Sequence, residues 1–375
     1  MANDVTLTPG ESVKINAPAG QTLTPGGGAI LIVTASNVQP EPGPGPGPTP
    51  TPGEGVLISK AELMALPMSG TGWSNVTSWA AKSISTTGML SNQESPANVT
   101  TLAAALVAVR KGDAAARSKV VTALKALKNQ SLDRALALGR ELGAYVIASD
   151  LIGATDAEVG YNQRDFYRGM LSKATSGGPS NLLNCARQRP NNWGTHAMGA
   201  IACVYSKYGT ESEKDDLYKI FQGWLGDRSA YKGFQYGDLS WQADPANPVG
   251  VNPKGARKQG ANIDGVLPDD QRRGGSFTPG DPPNENYVYE ALQGALLAAI
   301  VLERTGRQVA SKSDEALYRA YRWLIDVNHF TPSGDDTWEP WALRKLYPAH
   351  KAQINASSPT TPGKNFGFTD WLYNG

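Results

Sequence analysis

The run ENYVYEALQGALLAAIVLERTG, residues 285–306, decides the fold, because its apolar residues recur with the period of an α-helix. Two further runs share that period: TLAAALVAVRKGDAAARSKVVTALKAL at 101–127 and DRALALGRELGAYVIASDLIG at 133–153. Helices also fit 161–174, 195–208, 212–225 and 313–328. Many helices of this size joined by short Gly, Asn or Asp loops, without a convincing run of alternating strands, predict an all-α domain of stacked antiparallel pairs. The expected architecture is an α/α toroid, an incomplete barrel of such pairs, over residues 56–375. A long Gly- and Pro-rich segment, 228–283, interrupts it; loops of this length are functional or disordered, and the aromatic residues Tyr231, Tyr236 and Trp241 argue against disorder.

Upstream, residues 1–38 read as a small β-rich module of short apolar runs separated by Pro-Gly turns, in which VTLTPG at Val5 and QTLTPG at Gln21 repeat one strand-turn unit. Residues 39–55, containing PEPGPGPGPTPTPGEG from Pro40 to Gly55, can pack no core and read as an extended linker.

The chain has 375 residues, 40% apolar and 18% charged, enough for one large globular domain plus an appendage. Its formal net charge of +1 supplies no global field, so nucleic-acid binding driven by bulk charge is not expected, and an anionic ligand must be met by a local basic patch. Cys185 and Cys203 carry no metal-site spacing and read as buried thiols, although a fold that brought them together would allow one bridge. The first residues show no secretory signal, and no apolar run is long enough to span a bilayer.

Two patches gather chemistry. In NNWGTHAMGA, residues 191–200, a helix starting near Gly194 or Thr195 would leave Asn191 and Asn192 as caps, whereas a helix already covering Asn192 would put Asn192 and His196 four apart on one face. His196 is the one histidine of three that lies beside Asn, Trp193 and a basic approach, Arg187 and Arg189. In PDDQRRGG, residues 268–275, Arg272 and Arg273 could form a fork for a sugar carboxylate with Asp270 holding it in place, where the bland alternative is a solvated loop of weak ion pairs. Tyr287 and Tyr289 open the next helix two residues apart, so one of them easily points into the same cleft.

Amide, imidazole, guanidinium and phenol groups are what β-elimination from a uronate requires. Asn192 and Arg273 would neutralise the carboxylate, His196 or Tyr287 would take the adjacent proton, and Tyr287 would protonate the leaving glycosidic oxygen. Asn191, Trp193, Arg189, Tyr236, Trp241, Arg272, Asp270 and Tyr289 are the expected substrate-binding residues; packing is the competing role for the aromatic ones.

The ordered blocks LGRELGAYVIASDLIG, NNWGTHAMGA, FQGWLGDR, YGDLSWQADPANPVGVNPKG, IDGVLPDDQRRGG, ENYVYEALQGALLAA and PGKNFGFTDW resemble the alginate lyase-like superfamily of α/α-toroid polysaccharide lyases, in particular bacterial and phage proteins of the alginate lyase family. The resemblance covers most of residues 56–375. It implies an Asn-His pair, an Arg and a Tyr as the catalytic set, the Arg lying in a pattern L-P-x-E-x-x-R-G. LPDDQRRG puts Asp270 at the Glu position and Arg273 at the Arg position, and Asn192 and Tyr287 match the Asn and Tyr. The residue after Asn192 is Trp193, the nearest histidine is His196, and an insertion GSFTPGDPPNE separates Arg273 from Tyr287.

The resulting expectation is a lyase, without cofactor or metal, acting on an acidic polysaccharide such as alginate or a bacterial capsule. It would work outside the cell or on a virion, with the N-terminal module as a tether to a larger particle or surface. Two alternatives compete: a glycoside hydrolase with Asp269 or Asp270 as general acid and a second carboxylate as base, and a non-catalytic glycan-binding attachment protein.

Overall fold

The computed structural model describes residues 54–374. The β-rich module expected at 1–38, and the expected 39–55 linker apart from Glu54 and Gly55, lie outside the described residues.

Helices α1 (Lys60–Ala65) and α2 (Gly70–Ala81) lead into α3 (Ala97–Lys111), α4 (Ala114–Ala126) and α5 (Ala135–Leu151). Next come α6 (Asp156–Val159), α7 (Gln163–Ser172), α8 (Leu182–Gln188), α9 (Asn192–Tyr208) and α10 (Glu211–Trp224). A short antiparallel hairpin, β1 (Arg257–Lys258) with β2 (Ala261–Asn262), precedes α11 (Pro268–Gln271), α12 (Tyr287–Arg304), α13 (Ala316–Asp326), α14 (Glu339–Leu346) and α15 (Thr369–Leu372). The single apolar run at 101–127 is two helices. Gly112 ends α3 in the left-handed conformation, and the Asp113 side chain accepts the Ala116 N–H at 2.9 Å to start α4, so the pair folds back as a hairpin.

Helices α3, α5, α9 and α12 pack side by side in that order, and α14, α15 and α2 complete the circuit back to α3. α4 covers α3 and α5 from one side, and α7, α8 and α10 cover α9. This arrangement of helix pairs around a ring is the α/α toroid. Two ring helices are covered on every side and are therefore mostly apolar all round: α12 is buried from Val288 to Leu302 and α5 from Ala135 to Ser149. The ends of the ring are sewn together by the Trp371 indole donating to the Pro67 carbonyl (2.8 Å), Asn75 donating to the Thr360 carbonyl (2.7 Å), and Trp73 packed on Trp371.

The segment 228–283 is ordered by buried amides rather than by regular structure. Asn252 exchanges backbone bonds with Val266 and Gly265 while its side chain takes the Ala243 N–H and donates to the Trp241 carbonyl. Gln242 and Val249 exchange two further bonds of 2.9 Å. A polar side chain that satisfies backbone groups in a loop does what a ladder does in a sheet. The product is a hydrogen-bonded lead into α11.

The closest helix approach is between α9 and α12. A methyl group added at Gly294 would lie 2.3 Å from the His196 backbone nitrogen, so nothing larger than hydrogen fits between the two backbones. Gly294→Ala is therefore expected to force the helices apart and cost about 3 kcal/mol or more, measured as a fall in urea midpoint; a loss within a few tenths of a kcal/mol would contradict this packing.

Candidate active site

The helix α9 starts at Asn192, with Asn191 as its cap: the Asn191 side chain accepts the Trp193 N–H at 3.2 Å. Asn192 and His196 therefore stand on one face. The chain can enter this tightly because residue 194 is glycine; a side chain there would run into the Arg189 carbonyl.

The first-turn N–H of Asn192 is taken by the Asp270 carboxyl (Oδ1, 3.1 Å), which docks α11 against the start of α9. Asp270 is buried, and burial pushes its pKa up to about 8 against the lowering influence of Arg273. Two residues past α11, Arg273 donates from Nη2 to Asn192 Oδ1 at 3.1 Å, and its guanidinium lies over the Tyr287 ring, 4.2 Å from the centroid. Tyr287 opens α12 and is 41% exposed, which places the group at a solvent-facing mouth. The insertion between Arg273 and Tyr287 is closed at its far end by Gln271 donating to the Pro283 carbonyl at 2.8 Å, so the chain returns to α11 before α12 begins. Asn192, Arg273, Tyr287 and Asp270 are thus brought together from three elements.

His196 sits one turn further along α9 and is wholly buried, held neutral by that burial. Its Nε2 faces Glu290 at 3.5 Å, too long for a strong hydrogen bond. Glu290 lies one turn along α12 from Tyr287 and is bound by the buried Arg140 of α5. Burial alone would raise Glu290, but His196 and Arg140 outweigh it and hold the carboxyl down at about 2. Arg140 in turn reaches Glu94 at 3.1 Å, and Glu94 reaches Lys364 at 2.6 Å.

A second acidic group lies behind Gln293, which donates to Asp336 at 2.8 Å. Burial raises Asp336 to about 7, helped by Asp335 and Glu290, and lifts Glu339 well above the carboxylate range, helped by Asp336 and Glu290.

The remaining expected site residues are placed as follows. Arg272 pairs with Asp269 at 3.1 Å. Trp193 and Arg189 are half-buried beside the start of α9. Tyr289 is buried and donates its hydroxyl to the Phe330 carbonyl, so of the two tyrosines Tyr287 is the one at the mouth. Trp241 is buried edge-on against Phe277 and Trp323, and Tyr236 is half-buried against Phe234. Cys185 and Cys203 are separate buried thiols. Among the described residues no group of three or more His, Cys, Asp or Glu side chains is arranged to hold a metal ion, and no helix is long and apolar enough to cross a membrane. A cavity of about 560 Å³ lined by Leu57, Ile300, Arg304 and Tyr373 belongs to the other end of α12.

Sequence reading missed Arg140, Glu290, Glu94 and Lys364. The available signal was an acid inside the apolar ENYVYEALQG block and an Arg-Glu pair inside LGRELG, each needing a partner if its helix was to be buried.

No family model matches the chain, and no curated protein matches it. Among solved structures the chain is similar to an alginate lyase from Bacteroides ovatus, at 12% identity and a TM-score of 0.46, over 74% of this chain and 72% of that one.

The Asp270 carboxyl supplies a pH test. Its raised pKa means that the folded chain keeps a proton which the unfolded chain releases near pH 4. The folded state is thus favoured below that range, and the contribution is lost as pH rises through about 8. Asp270→Asn, which keeps the acceptor for Asn192 and cannot ionise, is expected to lose less stability than the parent between about pH 4 and about pH 8. Parallel urea curves for both proteins would refute the buried, protonated carboxyl.

Proposed function

We propose that this chain is a polysaccharide lyase that cleaves a uronate-containing polysaccharide by β-elimination. The single observation carrying the reading is the contact of Asn192 with Arg273 and of Arg273 with the exposed Tyr287 ring. Elimination needs a neutralised carboxylate before the adjacent proton becomes acidic enough to remove. Arg273 supplies a charge with donors to spare, and the Asn192 amide nitrogen, which has no protein partner among the described residues, supplies another donor. Tyr287 stands beside them, 41% exposed, with Arg273 over its ring. As the phenolate, this side chain takes the proton, and as the phenol so formed it gives that proton to the leaving glycosidic oxygen on the same face.

His196 has no route to the sugar through its burial, so its part in this reading is to accompany Glu290 beneath Tyr287. The hydrolase alternative draws less support: Asp269 is engaged by Arg272 and Asp270 by the α9 backbone, which leaves neither free to face a bond. Residues 1–38, as a tether to a larger particle or surface, and action outside the cell remain part of the proposal.

The test is digestion of a panel of alginate, polyglucuronate, hyaluronan and bacterial capsule preparations, followed by ultraviolet absorbance of the unsaturated uronate and, in parallel, by reducing ends. Both signals should rise together on at least one polymer. Reducing ends without the absorbance would replace the lyase with a hydrolase, and neither signal would leave a binding protein. Tyr287→Phe is expected to lower kcat by roughly 100- to 10,000-fold with an unchanged melting curve; activity within a few-fold of the parent would remove Tyr287 from the chemistry.

A further inference from the structure

Arg140 and Lys364 are two cations on fixed supports that converge on one exposed anion. Arg140 is on the ring helix α5, its side chain 5% exposed and bound on its inner side by Glu290. The backbone of Lys364 is tied to two helices: its N–H donates to the Gln293 side chain at 2.8 Å and its carbonyl accepts from Asn98 of α3 at 2.8 Å. Between them stands Glu94, in the loop before α3, with a side chain 55% exposed. One Glu94 oxygen meets Arg140 at 3.1 Å and the other meets Lys364 at 2.6 Å. Asp335 touches Lys364 at a longer 3.5 Å.

We propose that Glu94 is a resident stand-in for a sugar carboxylate, and that Arg140 with Lys364 forms a second uronate subsite which opens when the Glu94 side chain swings out. The inference rests on the lyase reading and adds to it that a neighbouring uronate, not only the one being cleaved, is read by charge. The subsite lies beside the reacting group because Glu290, which holds Arg140, is one turn along α12 from Tyr287. Exchange is inexpensive because Glu94 is more than half exposed and is rehydrated when it leaves, while the buried Arg140 keeps Glu290. The cations themselves stay in place when the anion leaves, so an incoming carboxylate finds a preformed fork of one guanidinium and one ammonium.

The test is calorimetric binding of a defined acidic uronate tetramer and of its carboxyl-reduced neutral counterpart to the full chain carrying Tyr287→Phe, which binds without turnover. Adding Glu94→Gln should tighten the acidic tetramer roughly three- to tenfold and leave the neutral one unchanged. Adding Lys364→Met to that variant should abolish the gain. An unchanged or weaker affinity on Glu94→Gln, or an equal gain for the neutral sugar, overturns the subsite while leaving the lyase reading intact. If neither Tyr287→Phe nor its Glu94→Gln derivative binds any acidic tetramer, both fall together.

Discussion

One hydrogen bond organises the mouth of this protein: the buried Asp270 carboxyl accepting the Asn192 N–H. A helix that starts inside a protein exposes donors that must be met. Here they are met by an element roughly eighty residues away in sequence, a single turn of helix delivered by a long irregular segment. Docking α11 in this way sets the position of Arg273, and Arg273 then joins Asn192 to Tyr287. The acidity of the site follows from the same contact, because a carboxyl buried to make it keeps its proton.

Beneath the mouth, the ring determines what each polar side chain can do. α9 and α12 touch backbone to backbone at Gly294, so His196 is enclosed between helices and separated from solvent. Its neighbour Glu290 must be paired to be buried as an anion, and Arg140 provides the pair. The charge series Glu290, Arg140, Glu94, Lys364 thus begins as a requirement of burial and ends at an exposed carboxylate.

The architecture was legible because ring helices leave a strong periodic trace: 133–153 and 285–306 correspond to α5 and α12 within two residues at each end. The break inside 101–127 was written as Gly112-Asp113, a stop followed by a cap, but the apolar period runs across it and hides it. α2, α8 and α14 left weaker traces because they are short or half-exposed. For the site, sequence order placed Asn192, Arg273 and Tyr287 in separate blocks, and their gathering needed the toroid. Tyr289 and Trp241 could not be told from sugar-facing aromatics, since a hydroxyl bonded to a carbonyl in the core looks identical in sequence. The Arg140–Glu290 pair joins residues 150 apart, beyond the reach of any local spacing rule.

The central claim is that Asn192 and Arg273 receive a uronate carboxylate beside residue 287. The most direct test is a crystal structure of the Tyr287→Phe protein soaked with an acidic uronate oligosaccharide. One sugar carboxylate is expected within hydrogen-bond reach of the Asn192 amide and the Arg273 guanidinium, with the bond to be broken facing the Phe ring edge. A sugar bound elsewhere on the toroid, or one whose carboxylate points away from Arg273, would contradict it.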